Sequence, residues 1–254
     1  AGGVKFARTG GESMTVAVRL ARAFTKKDNI LFCGYHGWHD WYLSANLKSK
    51  KNLDFHLLPG LEPLGVPKSL RGTLIPFRFN HWGDIERIVK KRAKNCAAIV
   101  IEPCREYLPE KKYLLELKKI ARKNNCVLIF DEIITGFRWS MGGAQEYFGV
   151  TPDLACFGKA MANGSPISAL VGKREVMIDF DDKNVFYSCT FSGETTGMAA
   201  SIACINYMRD NDVIGKIWES GKHLQERFNE MIGKLGVSYI SLEGYPPKTT
   251  VTFK

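Results

Sequence analysis

The sequence lacks most of the features that announce a function at a glance. No uninterrupted apolar run in its 254 residues approaches the roughly 20 needed to cross a bilayer, so no membrane association is expected. No secretory leader is expected. It begins at Ala1 without a methionine and reaches a glycine turn by Thr9, as expected of a fragment whose N-terminal segment is absent. The seven cysteines (33, 96, 104, 126, 156, 189 and 204) include no CxxC pair. Cys96, Cys126 and Cys156 lie in or beside apolar runs, the usage of buried free thiols in a reducing, cytoplasmic compartment. A GxxxxGK[ST] phosphate loop is missing, because the Gly158–Lys159 pair is followed by alanine, and GxGxxG is missing too, which speaks against a nicotinamide dehydrogenase. The net charge of +10 comes without any RNP, zinc-finger or helix-turn-helix signature. Its lysines fall mainly on the polar faces of helix-like stretches such as "RIVKKRAKN" (87–95), so no nucleic-acid partner is expected, although the charge could attract anionic substrates.

What is present is an alternation of short apolar runs with amphipathic segments. "VKFA" (4–7), "NILFC" (29–33), "CAAIVIEP" (96–103), "CVLIFDEI" (126–133), "PDLACFG" (152–158) and "ISALVGK" (167–173) read as strands. They are continuously apolar rather than alternating, which is the pattern of a mostly parallel sheet covered by helices on both faces. The fold class is α/β. In "EKKYLLELKKIARKNN" (110–125), Tyr113, Leu114, Leu117, Ile120 and Ala121 recur at helical spacing. Residues 46–80, with Pro59, Pro63, Pro67 and Pro76, read as a long and therefore functional loop. A final helix over 213–236 carries Ile214, Ile217, Leu224, Phe228, Met231 and Ile232 on one face, which must pack on something.

Ligands of open α/β sheets gather beyond the carboxyl ends of the strands. Four groups stand at such ends. Asp131 follows "VLIF", Glu102 follows "IVI", Lys159 follows "LACFG", and "TGGE" (9–12) follows "VKFA". Any one of them could be an ordinary turn residue, whereas together they form a set. The glycines of "TGGES" let backbone N–H groups approach a phosphate at the start of a helix. In "YHGWHDW" (35–41), Tyr35 offers a flat ring to a planar ligand. His36 and His39 lack further ligands at suitable spacing, so no metal site is expected. A phosphate cradle, an aromatic plate, a strand-end carboxylate and an amine nucleophile are the requirements of pyridoxal phosphate.

On these residues the chain resembles the class III aminotransferases of pyridoxal-phosphate fold type I, and within them the glutamate-1-semialdehyde aminomutases. The similarity runs from "VKFARTGGES" to "CTFSGETTGMAA", with "IFDEIITGFR" (129–138), "PDLACFGKAMANGSPISALVG" (152–172) and "GYHGWHD" as its most specific marks. The resemblance implies a cofactor-binding large domain over 1–210, and over 211–254 a connecting helix and the start of a truncated small domain. It implies that Lys159 holds the cofactor as an internal aldimine and shuttles a proton, its amine pKa lowered by loss of solvent. Asp131 would pair with the pyridinium nitrogen, Tyr35 and Ile133 would cover the two ring faces, and Gly10 and Gly11 would bind the phosphate. Glu102 would stand on the substrate side and His36 beside the stacking tyrosine. Thr190 would reach the phosphate held by a second subunit, making a homodimer.

The activity implied is amino-group transfer on a small amino or carbonyl substrate through a 1,3-proton shift. Transfer onto a sugar or other carbonyl in surface-polysaccharide synthesis and a catalytically silent relative are the alternatives. The departures from the family pattern are Gly11 in place of a hydroxyl residue, "CREYLPE" after "IEP", and Glu194–Thr195 after "SG". The second of these replaces the segment that supplies a polar partner for the cofactor's ring hydroxyl.

Overall fold

The computed structural model describes residues 1–105, 109, 112–181 and 185–253. Strands and helices follow one another as β1 (Gly3–Ala7), α1 (Gly10–Thr25), β2 (Asn29–Cys33), α2 (Asp40–Leu43), β3 (Leu74–Pro76), α3 (Trp82–Arg92), β4 (Cys96–Ile101), α4 (Tyr113–Lys123), β5 (Val127–Asp131), α5 (Ala144–Tyr147), β6 (Leu154–Phe157), β7 (Ser168–Gly172), α6 (Arg174–Asp181), α7 (Thr195–Asp210), α8 (Val213–Lys234), β8 (Ile240–Tyr245) and β9 (Lys248–Phe253). β1 to β7 form one sheet in the order β1-β7-β6-β5-β4-β2-β3. β7 runs antiparallel to both its neighbours, and the other strands run parallel to one another.

The continuous apolar runs have a direct cause. Ile30, Phe32, Ala98, Val100, Val127, Ile129, Leu154 and Cys156 point to one side, where Met14, Ala17 and Leu20 of α1 meet them. Leu31, Cys33, Ile99, Ile101, Leu128, Phe130, Ala155 and Phe157 point to the other, against Ile85 and Ile88 of α3 and Leu114 and Leu117 of α4. Successive strand residues therefore feed two cores, and neither face of the central strands tolerates a polar side chain. Of the expected apolar face of α4, Tyr113, Leu114, Leu117 and Ala121 are buried and Ile120 is half-buried.

The stretch 46–80 is less irregular than its prolines suggest. It holds 3-10 turns and β3, whose residues pair with β2 as far as Phe32 opposite Pro76. Proline is tolerated there because β3 is an edge strand, with no further neighbour awaiting its N–H. Beyond the sheet, β8 and β9 form an antiparallel hairpin against α8. This unit docks through aromatic contacts. Trp218 donates from Nε1 to the Trp139 carbonyl at 3.1 Å and stacks on Tyr147 with ring centroids 5.3 Å apart. The apolar face of α8 is only half covered by these contacts, leaving Leu224 and Met231 exposed.

Candidate active site

One cleft of about 450 Å³ opens at the carboxyl edge of the sheet, and Gly10, Gly11, Tyr35, His36, Glu102, Asp131, Ile133 and Lys159 all line it. These residues come from the ends of β1, β2, β4, β5 and β6, brought side by side by the parallel register. Because β7 is reversed, its entry segment Ser165–Ile167 reaches the same edge and closes the cleft.

The cradle is the first turn of α1. Thr9 caps the helix by accepting the Glu12 N–H at 3.2 Å, and the Glu12 carboxylate accepts the N–H groups of Arg8 and Thr9, each at 2.9 Å. The Ser13 N–H goes to the Thr9 carbonyl. That leaves the N–H groups of Gly10 and Gly11 without an acceptor among the described residues, at the positive end of a 16-residue helix. Both positions are crowded from behind. A Cβ on Gly10 would lie 2.9 Å from Ile133 Cδ1, and one on Gly11 would lie 2.9 Å from His39 Cε1.

Asp131 is the last residue of β5 and is buried. Its Oδ1 accepts the Ile133 N–H at 3.1 Å, and its Oδ2 lies 2.8 Å from Nδ1 of the fully buried His36. The carboxylate is thus fixed on both oxygens by groups 2 and 95 residues away in sequence. Lys159 follows Gly158 with a left-handed φ of 39°, which turns its side chain out of the strand. It is exposed to the cleft, so the chain itself does not supply the loss of solvent expected there. Ile133 is buried beneath the cleft and touches the positions of Gly10 and Gly158, while Tyr35 is 43% exposed at its rim.

Glu102 is buried, and burial together with the nearby Asp131 pushes its carboxyl above the usual range. Its Oε2 accepts the Tyr35 N–H at 3.0 Å and lies 3.6 Å from Arg105 Nε. Gly34 sits beneath this carboxylate at φ 124°, where a Cβ would come within 2.6 Å of Oε2. Its N–H donates to Nδ1 of His56, and Arg105 Nη1 points at the same nitrogen from 3.4 Å. Two donors at Nδ1 fix His56 as a neutral acceptor, and burial with the Arg105 charge lowers its pKa to about 3.

His56, Arg105, Arg8 and Trp38 were not legible as site residues. Arg8 and Trp38 line the cleft, and Arg8 lies over the Phe191 ring at 5.1 Å. His56 comes from the 46–80 loop, which contributes no lining residue but buries Leu53 and His56 behind the site. Only its place in a suspiciously long loop hinted at it.

Thr190 is exposed and lies outside the cleft. Of the "CREYLPE" segment, residues 106–108 and 110 lie outside the described residues, and with them the question of a ring-hydroxyl partner. Glu194 does the work of a cap. Its carboxylate accepts the N–H groups of Thr196 at 2.9 Å and Gly197 at 2.6 Å, starting α7. No group of three or more His, Cys, Asp or Glu side chains stands where it could hold a metal ion among the described residues.

A family model described as aminotransferase class-III matches residues 3–244. A 3-aminobutyryl-CoA aminotransferase of Cloacimonas acidaminovorans is 35% identical over 97% of this chain and 56% of its own length. A glutamate-1-semialdehyde 2,1-aminomutase of Methanosarcina acetivorans is 35% identical over 93% of this chain and 56% of its own. An omega-transaminase from Sphaerobacter thermophilus superposes with a TM-score of 0.86 at 27% identity, covering 98% of this chain and 59% of that one. The chain thus spans a little over half the length of the relatives it matches.

Proposed function

The chain belongs to the class III aminotransferases, and from that footing we propose that it moves an amino group using pyridoxal phosphate, in the manner of the glutamate-1-semialdehyde aminomutases. The observation that carries this reading is the convergence in one cleft of an exposed lysine amine, a carboxylate pinned on both oxygens, and two open N–H groups at a helix start. Those groups fit the cofactor's aldehyde, ring nitrogen and phosphate. Bound there, the cofactor supplies an electron-withdrawing ring that stabilises negative charge on the substrate carbon.

The chain's own residues do the rest. Gly10 and Gly11 hold the dianionic phosphate through their N–H groups. Asp131, oriented by its 2.8 Å contact with His36 Nδ1, would pair with the ring nitrogen and hold its proton in place. Tyr35 and Ile133 close on the two ring faces. Lys159 would hold the cofactor through Nζ, and the same amine would carry a proton between one carbon and the other. Glu102 presents a buried carboxylate on the substrate side, steadied by the Tyr35 N–H and by Arg105. A silent relative would have no use for both Lys159 and Asp131 in one cleft.

The same reading makes residues 1–210 the cofactor domain and 211–254 the lead into a smaller one, and places the protein in the cytoplasm. It makes the protein a homodimer in which Thr190, exposed and outside the lining of its own cleft, serves the partner's phosphate. The decisive experiment is Lys159→Ala in the intact protein supplied with pyridoxal phosphate. Wild type should show the yellow absorption of lysine-bound cofactor and the variant should not. Colour in both proteins, or in neither, would sink the assignment.

A further inference from the structure

The charge of the chain has a second focus, at the opposite rim of the sheet. A cavity of about 740 Å³ lies at the amino ends of β2, β3 and β4, lined by Arg22, Lys48, Arg71 and Arg92, with Asp28 its sole carboxylate among the described residues. Four cations against one acid is a marked local excess. Helix macrodipoles account for part of it, since Arg22 and Arg92 lie in the last turns of α1 and α3, where a positive charge is favourable. They do not account for Lys48 and Arg71, which sit outside both helices. None of the four forms an ion pair among the described residues.

Arg22 adds an independent sign of an insufficient counter-charge, since the nearby Asp28 offsets the burial of its guanidinium only in part. Its Nε donates to the Asp28 carbonyl at 2.9 Å, but its Nη2 is enclosed with no hydrogen-bond partner. Desolvation lowers the pKa of the guanidinium, an unusual condition for arginine. An anion in the adjoining cavity would add to the attraction of Asp28 and offset part of that cost without touching Nη2. Meanwhile Lys48, Arg71 and Arg92 are exposed and free to fold onto the same ligand. Asn95, held by the Asp28 N–H at 3.1 Å, and the turn at Gly72 give the cavity a polar, fixed floor.

We propose that this cavity binds an oligophosphate, a chain of phosphoryl groups whose several negative charges match the cluster of Arg22, Lys48, Arg71 and Arg92. A single carboxylate or phosphate could satisfy one or two of these cations, whereas an oligophosphate spans them. The site lies beyond the amino ends of β2, β3 and β4, of which β2 and β4 reach the cofactor cleft at their opposite ends, and so is independent of the cofactor reading.

The test uses the intact protein with saturating pyridoxal phosphate, so that the cofactor cradle cannot report. Inorganic tripolyphosphate and ATP are titrated calorimetrically at ionic strength fixed with potassium chloride. Both should bind saturably, and sulfate at equal ionic strength should not. Arg71→Gln and Arg92→Gln, at exposed positions away from the cleft, should each weaken binding about tenfold, the scale of one hydrogen bond to a charged group, and leave the cofactor's absorption unchanged. Absence of saturable binding in wild type overturns the proposal, as does wild-type affinity in the double variant. Binding of ATP without tripolyphosphate also overturns it, since the nucleoside and not the phosphate chain would then be recognised. None of these outcomes bears on Lys159.

Discussion

Gly11→Ala pits two effects of opposite sign against each other, and the structure says which wins. Alanine in place of glycine inside a helix gains up to about 1 kcal/mol, and less in a first turn such as this. Against it, the added Cβ would stand 2.9 Å from His39 Cε1 and 3.0 Å from Nδ1, where carbon atoms prefer about 3.5–4.0 Å. The ring cannot simply swing away. It is stacked on Trp38 at 4.7 Å, and the Gly37 backbone passes so close that a Cβ there would lie 2.9 Å from the Gly11 Cα. Overpacking of this kind costs about 1–3 kcal/mol, so the net change should be a loss of about 1–2 kcal/mol. Urea denaturation of wild type, Gly11→Ala, His39→Ala and the double variant separates the terms. Once His39 is cut back the methyl has room, and Gly11→Ala should be neutral or slightly stabilising. The coupling should therefore reach about 1 kcal/mol or more. A Gly11→Ala protein as stable as wild type, or sites that simply add, would refute the steric argument.

Two further outcomes follow from His56 behind the cleft and from the cap of α7. His56 is held neutral with a pKa of about 3, while in the unfolded chain it titrates near its ordinary value of about 6.5. Between those values the unfolded state binds the extra proton, so stability rises with pH by up to about 1.4 kcal/mol per unit and is lost as pH falls from 6.5 towards 3. His56→Gln should flatten the difference between urea midpoints at pH 7 and pH 4, and an unchanged difference would contradict the assignment. Glu194→Ala removes the carboxylate that takes the Thr196 and Gly197 N–H groups, and should cost about 1 kcal/mol of stability by the same denaturation measurement. Hydrogen exchange at the two freed amides should quicken while that of β5 does not.

What the sequence determined by itself was whatever depends on neighbours along the chain. The strands of β2, β4, β5 and β6 were visible because two-sided burial forces unbroken apolar runs, and α4 because one-sided burial forces helical spacing. Lys159, Asp131, Glu102 and the Gly10–Gly11 turn were visible because parallel strands deliver their last residues to a common edge. Tertiary structure alone decided who meets whom. The pairing of His36 with Asp131 joins residues 95 apart, and His56 reaches Gly34 from a loop whose prolines hid both it and β3. The placement of β1 beside a reversed β7 brings the phosphate turn and Ser165–Ile167 into one wall. Local propensity carries no information about such contacts, because their energy exists only after chain closure has brought distant groups together. The same holds for Arg22, Lys48, Arg71 and Arg92, four unremarkable cations in the sequence that become one charged cavity only when three strands align their amino ends.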